Sequence, residues 1–143
     1  MEQHGQQRGD HGYGYDSRFL RVIAVIDDAV RDAEGGRLHL VENRLKHLLV
    51  NIIEHARAEY DAMRGTNYPD TAEHEEDHVR ICKAIAGLCR RWSGTTDTLH
   101  DLYDLRSIVF RHIGTHDHAL GEHLMGMVSS SVVRCTLVPQ TGP

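Results

Sequence analysis

The sequence is poor in aromatic residues, cysteine and proline. Its 143 residues include one Trp, two Phe, three Cys and three Pro. Cys82 and Cys89 lie on one predicted helix, separated by about 10 Å of helical rise, which is too far for a disulfide bond. Cys135 is then left over. These cysteines exclude a disulfide-rich secreted scaffold and fit a cytoplasmic protein.

The chain also lacks an excess of basic residues and a long apolar run. It has 16 Lys and Arg against 21 Asp and Glu, a net charge of -5. This balance argues against a nucleic-acid or anionic-membrane partner. The most apolar stretches, 22–26 and 48–53, are too short to span a membrane. The first ten residues contain no apolar segment typical of a secretory signal, so we expect a cytoplasmic location.

Histidine and helical periodicity are what the sequence has in abundance. There are 12 His residues. Apolar residues recur at helical spacing from residue 19 to the glycines at 35–36, and again over 38–63, 74–92 and 96–113. Gly114 is expected to loosen the fourth helix, which then continues to about Met127. We predict an all-α protein, an antiparallel up-down-up-down four-helix bundle over residues 16–127.

The two flanking segments show no such periodicity. Residues 1–15 are rich in Gly, Gln and His, which predicts a flexible N-terminal arm. Residues 128–143 contain Ser and Pro but no apolar stripe, which is typical of a linker-like C-terminal tail. A possible partner is therefore an output domain that follows this tail in a longer protein.

Potential metal-binding side chains occur in three pairs. We call His55 and Glu59 the first pair, His74 and His78 the second pair, and His112 and Asp117 the third pair. The first two pairs have a spacing of four residues, which places both side chains on one face of a helix. Each pair alone is weak evidence, because His and Glu are also common on solvated helix faces.

The positions of the pairs relative to the predicted turns indicate that they converge. In an antiparallel hairpin, residues equally distant from the turn lie at the same height. The first and second pairs are equally distant from the break at 65–67, and the second and third from the break at 94–95. Reflecting His55 through 35–36 gives Asp16. We therefore predict that the three pairs and Asp16 form one belt across the bundle.

The order H-x-x-x-E, H-x-x-x-H and H-x-x-x-x-D resembles the hemerythrin family in its bacterial form. The resemblance extends over residues 16–124 and includes the sequence Phe-Arg-His-Ile-Gly-Thr-His-Asp at 110–117. It implies a bundle around a non-haem centre of two iron ions with an oxo or hydroxo bridge. By this resemblance the second pair and His112 bind one iron, and His55 binds the other. Glu59 and Asp117 would bridge the two cations and neutralise their repulsion.

The first helix departs from the family's pattern, which has a further His in an Asp-x-x-His context. This chain has Asp16 at that position. Three explanations stay open: Asp16 is a carboxylate ligand, His11 takes the position from the arm, or water completes the second iron. A capping role alone is a fourth reading of Asp16. A changed or missing ligand argues against simple reversible oxygen carriage.

The second pair also fits a different motif. Residues 74–78 read H-E-x-x-H, the zinc hydrolase signature in which two His bind zinc and Glu75 acts as general base. This reading leaves the first and third pairs without a joint purpose. We expect Glu75 and Glu76 to face solvent, about 100° and 200° around the helix from the ligand face.

By the resemblance, we expect a di-iron protein that binds O2 or another small diatomic molecule, as a sensory or oxygen-binding domain in signalling. The alternative is a di-iron redox enzyme that reduces peroxide or nitric oxide. The sequence shows no separate proton donor that would establish an enzyme. Four apolar residues are candidates for lining a dry pocket beside the centre, although core packing alone also explains apolar residues at helical spacing: Ile52, Ile81, Ile113 and Leu120.

Overall fold

Helices account for most of residues 17–136, the part of the chain described by the computed structural model; side chains are described over 18–131. The elements are α1 (Ser17–Glu34), α2 (Leu38–Gly65), α3 (Thr71–Arg91), α4 (Thr96–His112), a π-helical segment (Ile113–Asp117) and α5 (His118–Thr136). No strand occurs in this range, so the all-α prediction is confirmed there. None of these helices is both long and apolar enough to cross a membrane.

The first four helices pack on one another in a pattern consistent with a helical bundle. α1 contacts α2 and α4, and α3 also contacts α2 and α4. The connections are short and use glycine where the backbone requires it: Gly36 and Gly94 have φ angles of 73° and 71°. A Cβ atom on Gly94 would also lie 2.6 Å from Leu38 Cδ1, so this turn packs directly on the start of α2.

The buried apolar residues form two unequal clusters, which are separated by buried histidines of α2, α3 and α4. The larger cluster fills the interior among α1 to α4. The smaller cluster consists of Met63, Tyr68 and Leu120, with Leu124 packed against it. Along α2 the chain passes from Ile52 of the larger cluster to Met63 of the smaller. Of the six buried polar residues in the described part of the chain, the four histidines lie in the interval between the clusters, whereas Asp32 and Thr98 do not.

The last helix is longer than predicted. The expected end near Met127 is wrong, because α5 continues to Thr136. Serine often competes with helix formation through its hydroxyl group, but here Ser130 and Ser131 donate to the carbonyl oxygens of Gly126 and Met127, one turn earlier in the same helix. Part of the segment predicted as a linker is therefore helical.

Candidate metal centre

The three pairs meet in the interval between the two apolar clusters. α2 contributes the first pair, α3 the second pair, and the end of α4 with the π-helical segment the third pair. The four imidazoles are buried, with at most 4% of each residue exposed. Burying so many polar side chains costs free energy unless they are satisfied by one another or by a bound ion.

The Glu59 carboxylate lies among three imidazoles. Its Oε2 atom is 3.2 Å from Nε2 of His55, 3.0 Å from Nε2 of His74 and 3.2 Å from Nε2 of His78. These nitrogens come from both α2 and α3. One carboxylate oxygen is thus the common neighbour of side chains on two helices.

The Asp117 carboxylate also lies among three imidazoles. Its Oδ2 atom is 2.8 Å from His55 Nε2, while its Oδ1 atom is 3.1 Å from His74 Nε2 and 2.8 Å from His112 Nε2. The two oxygens therefore face different imidazoles. Each of the two carboxylates therefore contacts imidazoles from more than one helix.

The π-helical segment explains how the third pair can act together. In an α-helix, residues five apart point about 140° away from each other, since each residue turns the helix by roughly 100°. Over Ile113–Asp117 the helix widens, and the amide of His118 donates to the carbonyl of Ile113, five residues earlier. The wider turn brings Asp117 onto the same face as His112. Such π segments are frequent at functional sites.

Gly114 lies inside this segment, but it is not required there by its backbone angles. A Cβ atom built on Gly114 meets no other atom within 4 Å. The loosening expected at Gly114 is therefore a change of helix type over five residues rather than a break of the chain at the glycine.

Asp77 is a further residue of the site that the sequence reading missed. Its Oδ2 atom accepts a hydrogen bond from Nδ1 of His112 at 2.7 Å, and its Oδ1 atom accepts one from Arg80 at 2.6 Å. The signal in the sequence is slight: an acidic residue next to His78 on a helix full of Glu and Asp looks like an ordinary solvated residue.

The imidazoles of the cluster lower the pKa values of its two carboxylates. Burial alone would raise the pKa of Glu59, but the nearby nitrogens of His55, His74 and His78 lower it to about 2. Burial is likewise outweighed at Asp117, where His112, His55 and His74 hold the pKa well below its usual range. Both carboxylates are therefore ionised at neutral pH.

The imidazoles respond to these two anions. Burial disfavours the charged form of His55 and of His74, but Asp117 and Glu59 raise the pKa of His55 to about 10 and that of His74 to about 9. The pKa of His78 is instead lowered, mainly by burial. In the absence of a bound cation, protons on His55 and His74 offset the two carboxylates.

The unsatisfied atoms of the cluster fit a cation better than they fit protons. Among the described side chains, Glu59 Oε2, His78 Nε2 and His112 Nε2 are buried and lack a hydrogen bond of acceptable geometry. Five of the six side chains, all except His74, offer ligand atoms within 4.8 Å of one another. Imidazole nitrogens and carboxylate oxygens are ligands of first-row transition metals. The residues present therefore fit a metal centre.

The other residues singled out in the sequence have varied positions. Asp16 and His11 lie outside the described residues. Glu76 is exposed and Glu75 half-buried, and neither belongs to the cluster. The four residues expected to line a dry pocket are buried or half-buried: Ile52, Ile81, Ile113 and Leu120.

Comparison of the chain with protein-family models, with curated protein sequences and with solved structures returns no match. The site is therefore interpreted from its own residues and geometry.

Proposed function

We propose that this chain is a non-haem di-iron protein of the hemerythrin type that binds O2 or another small diatomic molecule. One observation carries the proposal: two carboxylates with little exposed surface, Glu59 at 13% and Asp117 at 8%, each lie within 3.2 Å of imidazole nitrogens from more than one helix. A carboxylate shared in this way is suited to bridge two cations.

The number of ligands supports two metal ions over one. Six side chains offer four imidazoles and two carboxylates, whereas a catalytic zinc site uses three protein ligands and a structural zinc site four. In our proposal, the second pair and His112 hold one iron and His55 holds the other. Asp16 is proposed as a further ligand from the sequence alone.

The proposal includes an antiparallel up-down-up-down arrangement of the helices. It is supported by contacts that join the end of one helix to the start of its neighbour. Trp92 Nε1, just after α3, donates to Leu38 O at the start of α2. Arg91 near the end of α3 pairs with Asp101 near the start of α4.

The protein's own residues would set the environment of the metal ions. Glu59 and Asp117 supply two negative charges, and the adjoining apolar residues Ile52 and Ile81 exclude water. Iron at this centre would supply the capacity to bind a small diatomic molecule and to exchange electrons with it. The chain would thus act as a binding or sensory domain.

Metal analysis tests the proposal. We expect anaerobic loading with ferrous iron to give about two ions per chain and, after exposure to air, near-ultraviolet charge-transfer absorption. A His112→Ala variant should lose iron, whereas His118→Ala should not, because the His118 side chain is 62% exposed. One tightly bound zinc ion and no iron uptake would end the di-iron reading in favour of the zinc hydrolase motif.

A second experiment separates binding from catalysis. The reduced protein is mixed with air and then returned to anaerobic conditions. A spectrum that appears with oxygen and reverses on its removal supports a binding or sensory role. Steady consumption of peroxide or nitric oxide by the isolated chain would support the alternative, a di-iron redox enzyme.

A further inference from the structure

Asp77 lies at the junction of the cluster and the protein surface. Its carboxylate accepts the Nδ1–H of His112 at 2.7 Å, and its side chain is only 14% exposed. Arg80, on the same helix and 64% exposed, binds the other oxygen of the carboxylate. The Asp77 carboxylate is therefore bound by exposed Arg80 at one oxygen and by buried His112 at the other.

The hydrogen bond decides which nitrogen of His112 is free. Because Nδ1 carries the proton that is donated to Asp77, Nε2, which lies 2.8 Å from Asp117 Oδ1, is the nitrogen whose lone pair would bind a cation in the cluster. A carboxylate in this position also makes the imidazole a stronger electron donor. By contrast, the Nδ1 atoms of His55 and His74 are buried without a partner among the described side chains.

We propose that Asp77 is a positioning residue for the metal centre: it fixes the tautomer and orientation of His112 and thereby makes the metal position on the α3 and α4 side the tighter of the two. This inference rests on the proposed function. Asp77 acts through His112 and does not itself bind the metal.

The neighbouring His116 offers a competing role for the same carboxylate. Its Nε2 atom is 3.8 Å from Asp77 Oδ2, and Asp77, His112 and His116 together could hold a separate cation. The 2.7 Å contact between Asp77 and His112 is a hydrogen-bond distance, however, and Nδ1 of His112 cannot donate this bond and bind a cation at once. We therefore favour positioning.

The test follows the release of Zn²⁺, used as a diamagnetic probe, from the fully loaded chain to a chelator. In Asp77→Ala we expect the slowly released ion to leave about 10- to 100-fold faster, with the other ion unchanged. Asp77→Asn should fall at the low end of this range, since its amide oxygen can still accept the hydrogen bond without a charge. Glu76→Gln, which alters an exposed neighbour on α3, is the matched control.

Two further readouts distinguish positioning from a general loss of structure. The His112 Nδ1–H proton should be visible by NMR in the wild-type zinc form and should exchange faster with water in Asp77→Ala. In a His55→Ala background, the Asp77→Ala effect should persist on the single remaining ion. Asp77→Asn is nearly isosteric, so it keeps the test valid if Asp77→Ala fails to fold.

The outcomes separate the inference from the function on which it rests. Failure of the wild-type chain to bind metal overturns both. Normal loading with unchanged release from both Asp77 variants, or equal acceleration of both ions, overturns the role of Asp77 alone. Loss of one bound ion in both Asp77→Ala and His116→Ala would show that these residues hold a cation themselves, and would also overturn it.

Discussion

The two sides of the candidate centre are built very differently. On the side of α3 and α4, three imidazoles are buried and one of them, His112, has a carboxylate on its outer nitrogen. On the side of α2, His55 is the one imidazole, and its Nδ1 atom is buried without a hydrogen-bond partner among the described side chains. In the proposed di-iron centre, the fold would largely prepare one metal position, whereas the other would depend on the shared carboxylates and on Asp16.

Removing a shared carboxylate should have the largest effect, because it damages both positions at once. We expect Asp117→Asn to weaken binding of both metal ions by more than about 100-fold, since even the outer partners of metal ligands are worth 10- to 100-fold. Iron content after gel filtration measures the loss. The control is Asp104→Asn, an exposed residue of α4. Retention of one tightly bound ion would contradict a bridging role for Asp117.

Removing the α2 imidazole should affect one position only. We expect His55→Ala to bind about one iron ion per chain instead of two, because the second pair and His112 remain in place. Metal analysis with and without the substitution gives the number directly. His47→Ala on the same helix, an exposed residue, should leave both ions bound. Loss of both ions in His55→Ala would mean that the two positions are not independent.

The metal-free protein should lose stability at alkaline pH. Because the pKa of His55 is about 10 and that of His74 about 9 in the folded protein, against about 6.5 when unfolded, their ion pairs contribute fully below pH 6.5. That contribution is lost as the pH rises through 9 to 10, and it is on the order of a few kcal/mol. Urea unfolding at pH 6 and pH 10 measures it.

The metal-free protein should also lose stability at acid pH, where the group responsible is a carboxylate. The lowered pKa of Glu59, about 2, stabilises the fold above pH 4.5 and this stabilisation is lost as the pH falls toward 2. Metal loading should reduce the loss of stability at alkaline pH, since imidazoles bound to a metal ion carry no extra proton. A metal-free protein that is equally stable at pH 6 and pH 10 would refute the assigned charges.

The smallest effect is expected at the first helix. If Asp16 is a ligand of the α2-side iron, Asp16→Ala should reduce occupancy of that position and change the spectrum. If it only caps α1, the substitution should lower the free energy of unfolding by about 1 kcal/mol and leave the metal content unchanged. His11→Ala distinguishes the remaining candidate, because a loss of iron in this variant alone would assign the position to His11.

Much of the site could be predicted because its spacing is set by helix geometry. Within the first pair and within the second pair, the two residues are four positions apart. The pairs that flank each predicted turn also lie at equal distances from it. Their meeting in the structure agrees with the predicted belt, while their role as ligands stays a prediction. The contact of Asp77 with His112 could not be predicted in this way, because it depends on the approach of α4, which spacing along α3 does not reveal.

The end of the fourth helix shows a second limit of the sequence. An interval of five between His112 and Asp117 predicts opposite faces in an α-helix, and only the π-helical turn reconciles it with a common site. The extent of α5 was missed for a different reason. Residues 125–131 of α5 are exposed, so no apolar stripe marks them as helical.

The π-helical turn also sets the rotational phase of everything that follows it. One extra residue per turn rotates α5 by roughly 100° relative to an uninterrupted α-helix. In this phase Leu120 and Leu124 reach the small cluster around Met63 and Tyr68. Deleting a single residue from Ile113–Asp117 would therefore both displace the Asp117 carboxylate and turn α5 away from its packing surface, so the position of this carboxylate and the packing of the last helix depend on the same turn.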